Sequence, residues 1–328
     1  MKTVLVTGCA GFIGYKVSEM LLNQGGSVIG VDDMNDYYDP RLKEWRLSLL
    51  YNNQTDSNFV FYKLDISDFL GIKTIFSNHH LDAVINLAAR AGVRASIENP
   101  WIYLDTNVKG TLNLLECCKN FNVKKLVLAS TSSLYGGNKK IPFEVTDKTD
   151  NCLAPYAATK KAAEVLSYSY HYLYNLDISI PRYFTVYGPA GRPDMSIFRF
   201  IRNIASGRPI VIYGDGRQKR DFTYITDIAE GTIMCLNKED GYEIYNLGND
   251  NPVELMQVVQ IIEKVIGKKA QIIFEPRHPA DVLDTWADIS STIERLGWSP
   301  AIPIEHGIEM TVKWYFANRD FMDSLNAV

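Results

Sequence analysis

No stretch of these 328 residues approaches the ~20 consecutive apolar positions that a membrane-spanning helix requires. Histidine is scarce: of five, only His79 and His80 are adjacent, and no ligand spacing emerges, so no metal site is expected. The five cysteines (Cys9, Cys117, Cys118, Cys152 and Cys235) are odd in number and scattered, which excludes a disulfide framework and fits reduced thiols in the cytoplasm. Basic residues come in nothing longer than pairs such as Lys139-Lys140, Lys160-Lys161 and Lys268-Lys269. With 34 basic against 38 acidic residues, a formal charge of −4, the chain has no footprint for nucleic acid. The opening run Met1–Gly8 leads directly into a glycine turn, so no secretory leader is expected. Internal repeats and low-complexity tracts are missing as well.

What remains is an ordinary globular composition, 46% hydrophobic, in a chain longer than one core usually holds; two domains are expected. Short apolar runs at Val4–Val6, Ser27–Val31, Phe59–Leu64, Ala83–Leu87, Leu126–Ser130 and Ile178–Ile180 read as strands. Helix-length segments separate them: Gly14–Leu22, with Val17, Met20 and Leu21 on one face, then Thr106–Phe121 and Tyr156–Tyr174. Apolar strands alternating with helices predict a doubly wound (Rossmann) parallel sheet over residues 1–182. From 188 to 216 the chain is punctuated by Pro189, Gly191, Pro193, Gly207, Pro209, Gly214 and Gly216. Residues 183–328 therefore read as a second, smaller α/β domain that binds substrate, with segments around 217–240 returning to the first.

The run Thr7-Gly8-Cys9-Ala10-Gly11-Phe12-Ile13-Gly14 follows the first strand and opens the first helix. Its glycines suit a sharp turn at Gly8, close approach of a pyrophosphate at Gly11, and tight packing at Gly14. Asp32 closes the second strand, where an acid bonds ribose hydroxyls and repels a 2′-phosphate, so NAD is favoured over NADP. Asp65, after the third strand, reads either as an adenine contact or as a helix N-cap.

Tyr156-Ala157-Ala158-Thr159-Lys160 places a phenol and an ammonium one helical turn apart, on one face. A nearby ammonium lowers a phenol pKa and makes tyrosine a usable base. Ser130-Thr131-Ser132-Ser133 ends the preceding strand, the edge at which open α/β sheets bind ligands. A hydroxyl there relays a proton between substrate and Tyr156.

With these motifs in this order, the chain resembles the extended short-chain dehydrogenase/reductase family of sugar-nucleotide epimerases and dehydratases over essentially its whole length. That resemblance implies a catalytic triad of Thr131, Tyr156 and Lys160. It implies a cofactor site built from Gly8, Gly11, Phe12, Ile13, Gly14, Asp32, Asp65, Ile66, Leu87, Ala88, Ala89, Asn107, Ser130 and Tyr183, with Tyr156 and Lys160. It further assigns Gly92, Val93, Arg94, Tyr213, Arg220, Arg277 and Asp281 to the nucleotide sugar. In relatives the helices corresponding to 97–120 and 153–174 pair across a dimer, so a homodimer is expected.

Dehydratases and glucuronate decarboxylases of the family carry a glutamate where this chain has Ser133, two residues after Thr131. Three stretches resemble UDP-glucuronate 4-epimerases instead: Asn35–Lys43, Ala91–Arg94, and Phe184–Pro189 with Gly191–Met195. Thr131, Ser132, Ser133 and Thr185, with Arg192 as a charged partner, suit a substrate carboxylate; the same hydroxyls also suit a neutral hydroxymethyl group. The expected function is thus NAD-dependent 4-epimerisation of UDP-glucuronate. The alternatives are a UDP-glucose or UDP-N-acetylglucosamine 4-epimerase, a UDP-glucuronate decarboxylase, which Ser133 disfavours, and a non-catalytic NAD sensor. Tyr15, Asn86 and Ala190 depart from the residues common in relatives.

Overall fold

The computed structural model describes residues 2–52, 58–239, 241–277, 282 and 284–326. Its centre is an all-parallel sheet. We number its strands β1 (Thr3–Thr7), β2 (Ser27–Asp32), β3 (Phe59–Lys63), β4 (Ala83–Asn86), β5 (Lys125–Leu128), β6 (Ser130–Thr131) and β7 (Asp177–Tyr183). The order is β3-β2-β1-β4-β5-β7, with β6 continuing β5 alongside β7 and a last strand, Tyr242–Leu247, outside β7. The chain winds from β1 outward to β3 and returns to β4 on the other side. This reversal opens a crevice between β1 and β4.

Alternation along the strands feeds two cores. Val4, Val6, Val28, Ile85 and Val127 point to one face, Leu5, Ile29, Val84, Leu126 and Leu128 to the other. The first face is covered by the helices Phe12–Asn23 and Ile225–Asn237, which pack on each other, and the second by Phe69–Asn78, Gly110–Asn120 and Pro155–Tyr174. The polypeptide after 183 is therefore not one separate block. Its helix Ile225–Asn237, within the 217–240 span expected to return, packs on the sheet, and the strand Tyr242–Leu247 just beyond that span joins it.

The segment expected as one helix over 97–120 is instead four pieces. A short helix Val93–Glu98 stops at Asn99 (φ −139°), ahead of Pro100, which cannot follow a residue held in the helical region. The chain then continues through Pro100–Tyr103, a wider turn Leu104–Lys109 with i→i+5 bonding, and Gly110–Asn120. Helix Pro155–Tyr174 begins as expected, with Pro155 in its first turn and the left-handed Asn175 (φ 54°) closing it.

Helix Pro40–Asn52 had no expected counterpart. It buries Leu42, Leu47 and Leu50 at helical spacing and rests on chain from the far C-terminal side. Trp45 packs edge-on against Trp314, ring centres 5.5 Å apart, and stacks on Phe321. Arg41 donates to the Ser324 carbonyl at 2.7 Å, and Asp39 accepts the Asn326 amide at 2.9 Å.

Behind the sheet edge lies a buried ion pair. Arg182 on β7 donates to both oxygens of Glu164 at 3.0 and 2.8 Å, each side chain 2% exposed. Ser130 donates to the same carboxylate at 2.6 Å, and Arg182 also reaches the Tyr135 hydroxyl, which donates to Asn246 at 2.6 Å. Removing one partner of such a pair leaves an uncompensated buried charge. Glu164→Gln should lower the unfolding free energy by about 3–5 kcal/mol, read from urea denaturation; an unchanged midpoint would show the pair to be energetically idle.

Candidate active site

The strand ends deliver most of the expected residues to one cleft of about 420 Å³. From β1 come Gly8, Gly11, Phe12, Ile13 and Gly14; from β2, Asp32; after β3, Asp65 and Ile66; after β4, Leu87, Ala88, Ala89, Gly92 and Val93. Ser130, Thr131, Ser132 and Ser133 follow β5, Tyr183 ends β7, and Tyr156, Lys160, Thr185 and Arg192 complete the lining.

The glycine turn is too tight for side chains. A Cβ on Gly14 would stand 2.0 Å from the Gly8 carbonyl oxygen, and one on Gly8 (φ 69°) would meet the Ala88 nitrogen at 2.7 Å. The close packing at Gly14 is thus against the turn itself. The following helix starts without a side-chain cap, so its first N–H groups remain for an anion. This cradle fits the diphosphate of a dinucleotide.

Asp32 is buried and fully engaged. One oxygen accepts the Ala10 amide at 3.2 Å; the other accepts the Met34 amide at 2.9 Å and the Lys43 ammonium at 3.1 Å. Lys43 also stands 3.6 Å from Asp33, which pairs in turn with Arg90 at 3.4 Å. Asp32 has charged company here: two acids alternate with two bases. Lys43, Asp33, Arg90 and Tyr37 all line the cleft without having been singled out. The legible signal was Pro40 ahead of the helical spacing of Leu42, Arg46 and Leu50, which buries Lys43 beside Asp32. Asp65 is no helix cap: its carboxylate accepts the Ser67 amide at 2.8 Å in a local turn, and Asp68 caps the next helix.

Asn107 does not line the cleft. It is buried behind it, clamping the Arg90 backbone at both N–H (2.9 Å) and C=O (3.0 Å) and donating to Thr159 at 3.1 Å. Asn86 accepts from Thr7 at 2.7 Å and donates to Thr111 at 3.2 Å, so its amide is consumed within the layer. Tyr15 donates to Glu19 at 2.7 Å. Arg94 lies over the Tyr213 ring, 4.0 Å from its centre, outside the lining. Arg220 donates to the Val282 carbonyl at 2.8 Å, Arg277 is exposed beside Gly214, and neither lines the cleft. Asp281 lies outside the described residues.

Thr131, Tyr156 and Lys160 come together in this cleft. Thr131 caps the following turn, accepting the Ser133 amide at 3.2 Å, and lines the cleft with Tyr156. Burial raises the Tyr156 phenol, against the lowering by Thr131 and by the Arg192 charge. Lys160 is itself pushed down to about 8 by burial, the Glu164 charge opposing the shift. Arg192 is held by Asp194 through contacts of 3.0 and 2.5 Å and lies over the Tyr37 ring.

The family model for GDP-mannose 4,6-dehydratase matches residues 5–311. The chain belongs to that family, within the extended short-chain dehydrogenase/reductases. It is 58% identical, over 326 residues and 99% of each chain, to a UDP-glucuronate 4-epimerase of Thermodesulfobacterium geofontis. Its fold is similar to that of the Bacillus cereus UDP-glucuronic acid 4-epimerase in complex with UDP-glucuronic acid and NAD: TM-score 0.88, 34% identity, 96% of this chain and 99% of the other. A Thermotoga maritima UDP-glucose 4-epimerase with UDP-glucose is similar at TM-score 0.88 and 30% identity, covering 97% of this chain and 99% of the other.

The lowered Lys160 makes a pH prediction. Below pH 8 the folded and unfolded chains both carry the proton, and the fold bears the full desolvation penalty. Between about 8 and 10.5 the unfolded chain holds a proton that the folded chain has released, so this group's contribution to stability rises with pH. Without NAD, the stability difference between the parent and Lys160→Met should therefore shift in the parent's favour by about 2 kcal/mol from pH 7.5 to 10. Denaturant titrations that give a pH-independent difference would refute it.

Proposed function

We propose that this chain is an NAD-dependent nucleotide-sugar 4-epimerase that interconverts UDP-glucuronate and UDP-galacturonate. The observation that carries this reading is the assembly of Thr131, Tyr156 and Lys160 beside the glycine cradle, with Ser132, Ser133, Thr185 and Arg192 on the same cleft. Bound NAD supplies the redox chemistry, taking a hydride from sugar carbon 4 and returning it to the opposite face of the 4-keto sugar. The protein handles the protons. Tyr156 accepts the 4-hydroxyl proton, with Thr131 as its hydrogen-bond partner, and later gives it back; a positioned group of this kind contributes ~10²–10⁴-fold. Lys160, one turn along the same helix, would hold the cofactor ribose. Ser133 stands where elimination would need a carboxylate base, so the chemistry stops at epimerisation. Arg94, Tyr213, Arg220 and Arg277 belong to the nucleotide end of the substrate.

The 4-keto uronic acid is a β-keto acid and loses carbon dioxide unless its carboxylate is restrained. Ser132, Ser133 and Thr185 supply that restraint as hydroxyl donors, and Arg192 joins them while shared with Asp194. Hydrogen bonds to a charged group are worth about 1.5–3 kcal/mol each. Incubation with UDP-glucuronate should give the C4 epimer, and UDP-glucose should turn over far more slowly. Thr185→Val should weaken UDP-glucuronate about tenfold or more, spare UDP-glucose, and release more decarboxylated UDP-4-keto-pentose. Equal losses on both sugars with no decarboxylation would instead favour a neutral hexose as substrate.

The chain is also proposed to form a homodimer in the cytoplasm. Support comes from apolar side chains left in solvent on the two expected helical segments: Ile97, Trp101 (73% exposed) and Leu104 on one, Val165, Tyr168 and Tyr172 (77% exposed) on the other. The free thiols of all five cysteines fit a reducing compartment. Sedimentation should give a dimer at micromolar concentration, and Trp101→Asp should shift it to monomer. A parent that sediments only as monomer would reject the pairing.

A further inference from the structure

Arg46 is a buried cation with no carboxylate. It lies on helix Pro40–Asn52 and is fully shielded from solvent. Among the described residues its hydrogen-bond acceptors are all neutral. Its Nη1 donates to the Ala10 carbonyl at 3.0 Å and to the Tyr38 hydroxyl at 2.6 Å; its Nη2 and Nε donate to the Ala190 carbonyl at 2.7 and 3.2 Å. Burying a guanidinium without an anion is costly, and a fold that keeps one has its donors matched. A packing role alone would be met by an apolar side chain.

The two carbonyls belong to the two halves of the cleft. Ala10 sits inside the glycine turn, and its N–H is held by Asp32. Ala190 adopts a left-handed conformation (φ 54°), unusual for alanine, and lies two residues before Arg192. A continuous path of bonds thus runs from Asp32 through Ala10 and Arg46 to Ala190 and the backbone carrying Arg192. Only a planar fork reaches both carbonyls at once; a lysine ammonium lacks that geometry.

We propose that Arg46 is a positioning residue that ties the cofactor turn to the 188–195 loop, so that occupancy of either half of the cleft steadies the other. The link rests on the reading of the cleft as a site for NAD and UDP-glucuronate. Because coupling between two sites is reciprocal, bound sugar nucleotide should hold NAD more firmly.

The test follows exchange of bound NAD for labelled NAD in the holoenzyme, in a Tyr156→Phe background where chemistry is stopped. With Arg46 present, saturating UDP-glucuronate should slow exchange about tenfold. In Arg46→Lys, which keeps the charge, exchange should be faster and UDP-glucuronate should change it by less than about twofold. With Tyr156 restored, the same variant should raise KM for UDP-glucuronate more than it lowers kcat. Tyr38→Phe, which removes one anchor of the guanidinium and no backbone bond, should give an intermediate coupling and serves if Arg46→Lys does not fold. Coupling of parental size in folded Arg46→Lys, or in Tyr38→Phe where only that variant folds, overturns the link while leaving the functional reading in place. No effect of UDP-glucuronate on exchange in the parent, when it does bind, also overturns the link alone. Failure of UDP-glucuronate to bind the parent overturns both.

Discussion

The distance between the first helix and the strand that feeds it is set by a missing carbon. Because Gly14 has no side chain, its backbone lies against the Gly8 carbonyl, where a Cβ would be only 2.0 Å from the oxygen. Gly8 in turn lies against the backbone of Leu87 and Ala88, so the turn after β1 touches the chain leaving β4. This contact sets one wall of the crevice at the sheet's reversal. It also brings the Ala10 amide to Asp32 and its carbonyl to Arg46. Lys43 then reaches Asp32 from the same helix as Arg46. A wider turn would separate all of these partners together.

The proton-handling side is built on a different principle. Tyr156, Lys160 and Glu164 stand at successive turns of one helix, and each meets a different environment. Tyr156 faces the cleft, Lys160 is covered until its charge becomes unfavourable, and Glu164 is locked to Arg182 and Ser130. The buried pair ties this helix to β7 one turn beyond Lys160.

Much of this was legible in the chain because local rules coincide with the fold. The apolar runs became parallel strands within about three residues, and glycine motif, Asp32, Thr131, Tyr156 and Lys160 reached one cleft. What escaped depends on partners distant in sequence. Helix Pro40–Asn52 has a polar average, since Lys43 and Arg46 are buried only because Asp32, Ala10 and Ala190 await them. Asn107 carries the same residue type a cofactor contact would, yet Thr159, fifty-two positions later, claims its amide. At Ala190 the contact is made by the carbonyl, to which spacing in the sequence gives no clue. Spacing reveals which residues share a face; it is silent on which of them a remote segment has already engaged.

The clasp between Pro40–Asn52 and the last helices bears on how the molecule is made. Trp45 finds Trp314 and Phe321, Arg41 finds Ser324, and Asp39 finds Asn326 only once those much later residues have left the ribosome. The outer strand Tyr242–Leu247 likewise arrives late to a sheet whose inner strands were translated long before. During synthesis the nucleotide-binding layer thus waits with an open sheet edge and an uncovered aromatic surface on the helix bearing Lys43 and Arg46. The helix bearing Lys43 and Arg46 thus finishes its packing only when chain made much later arrives.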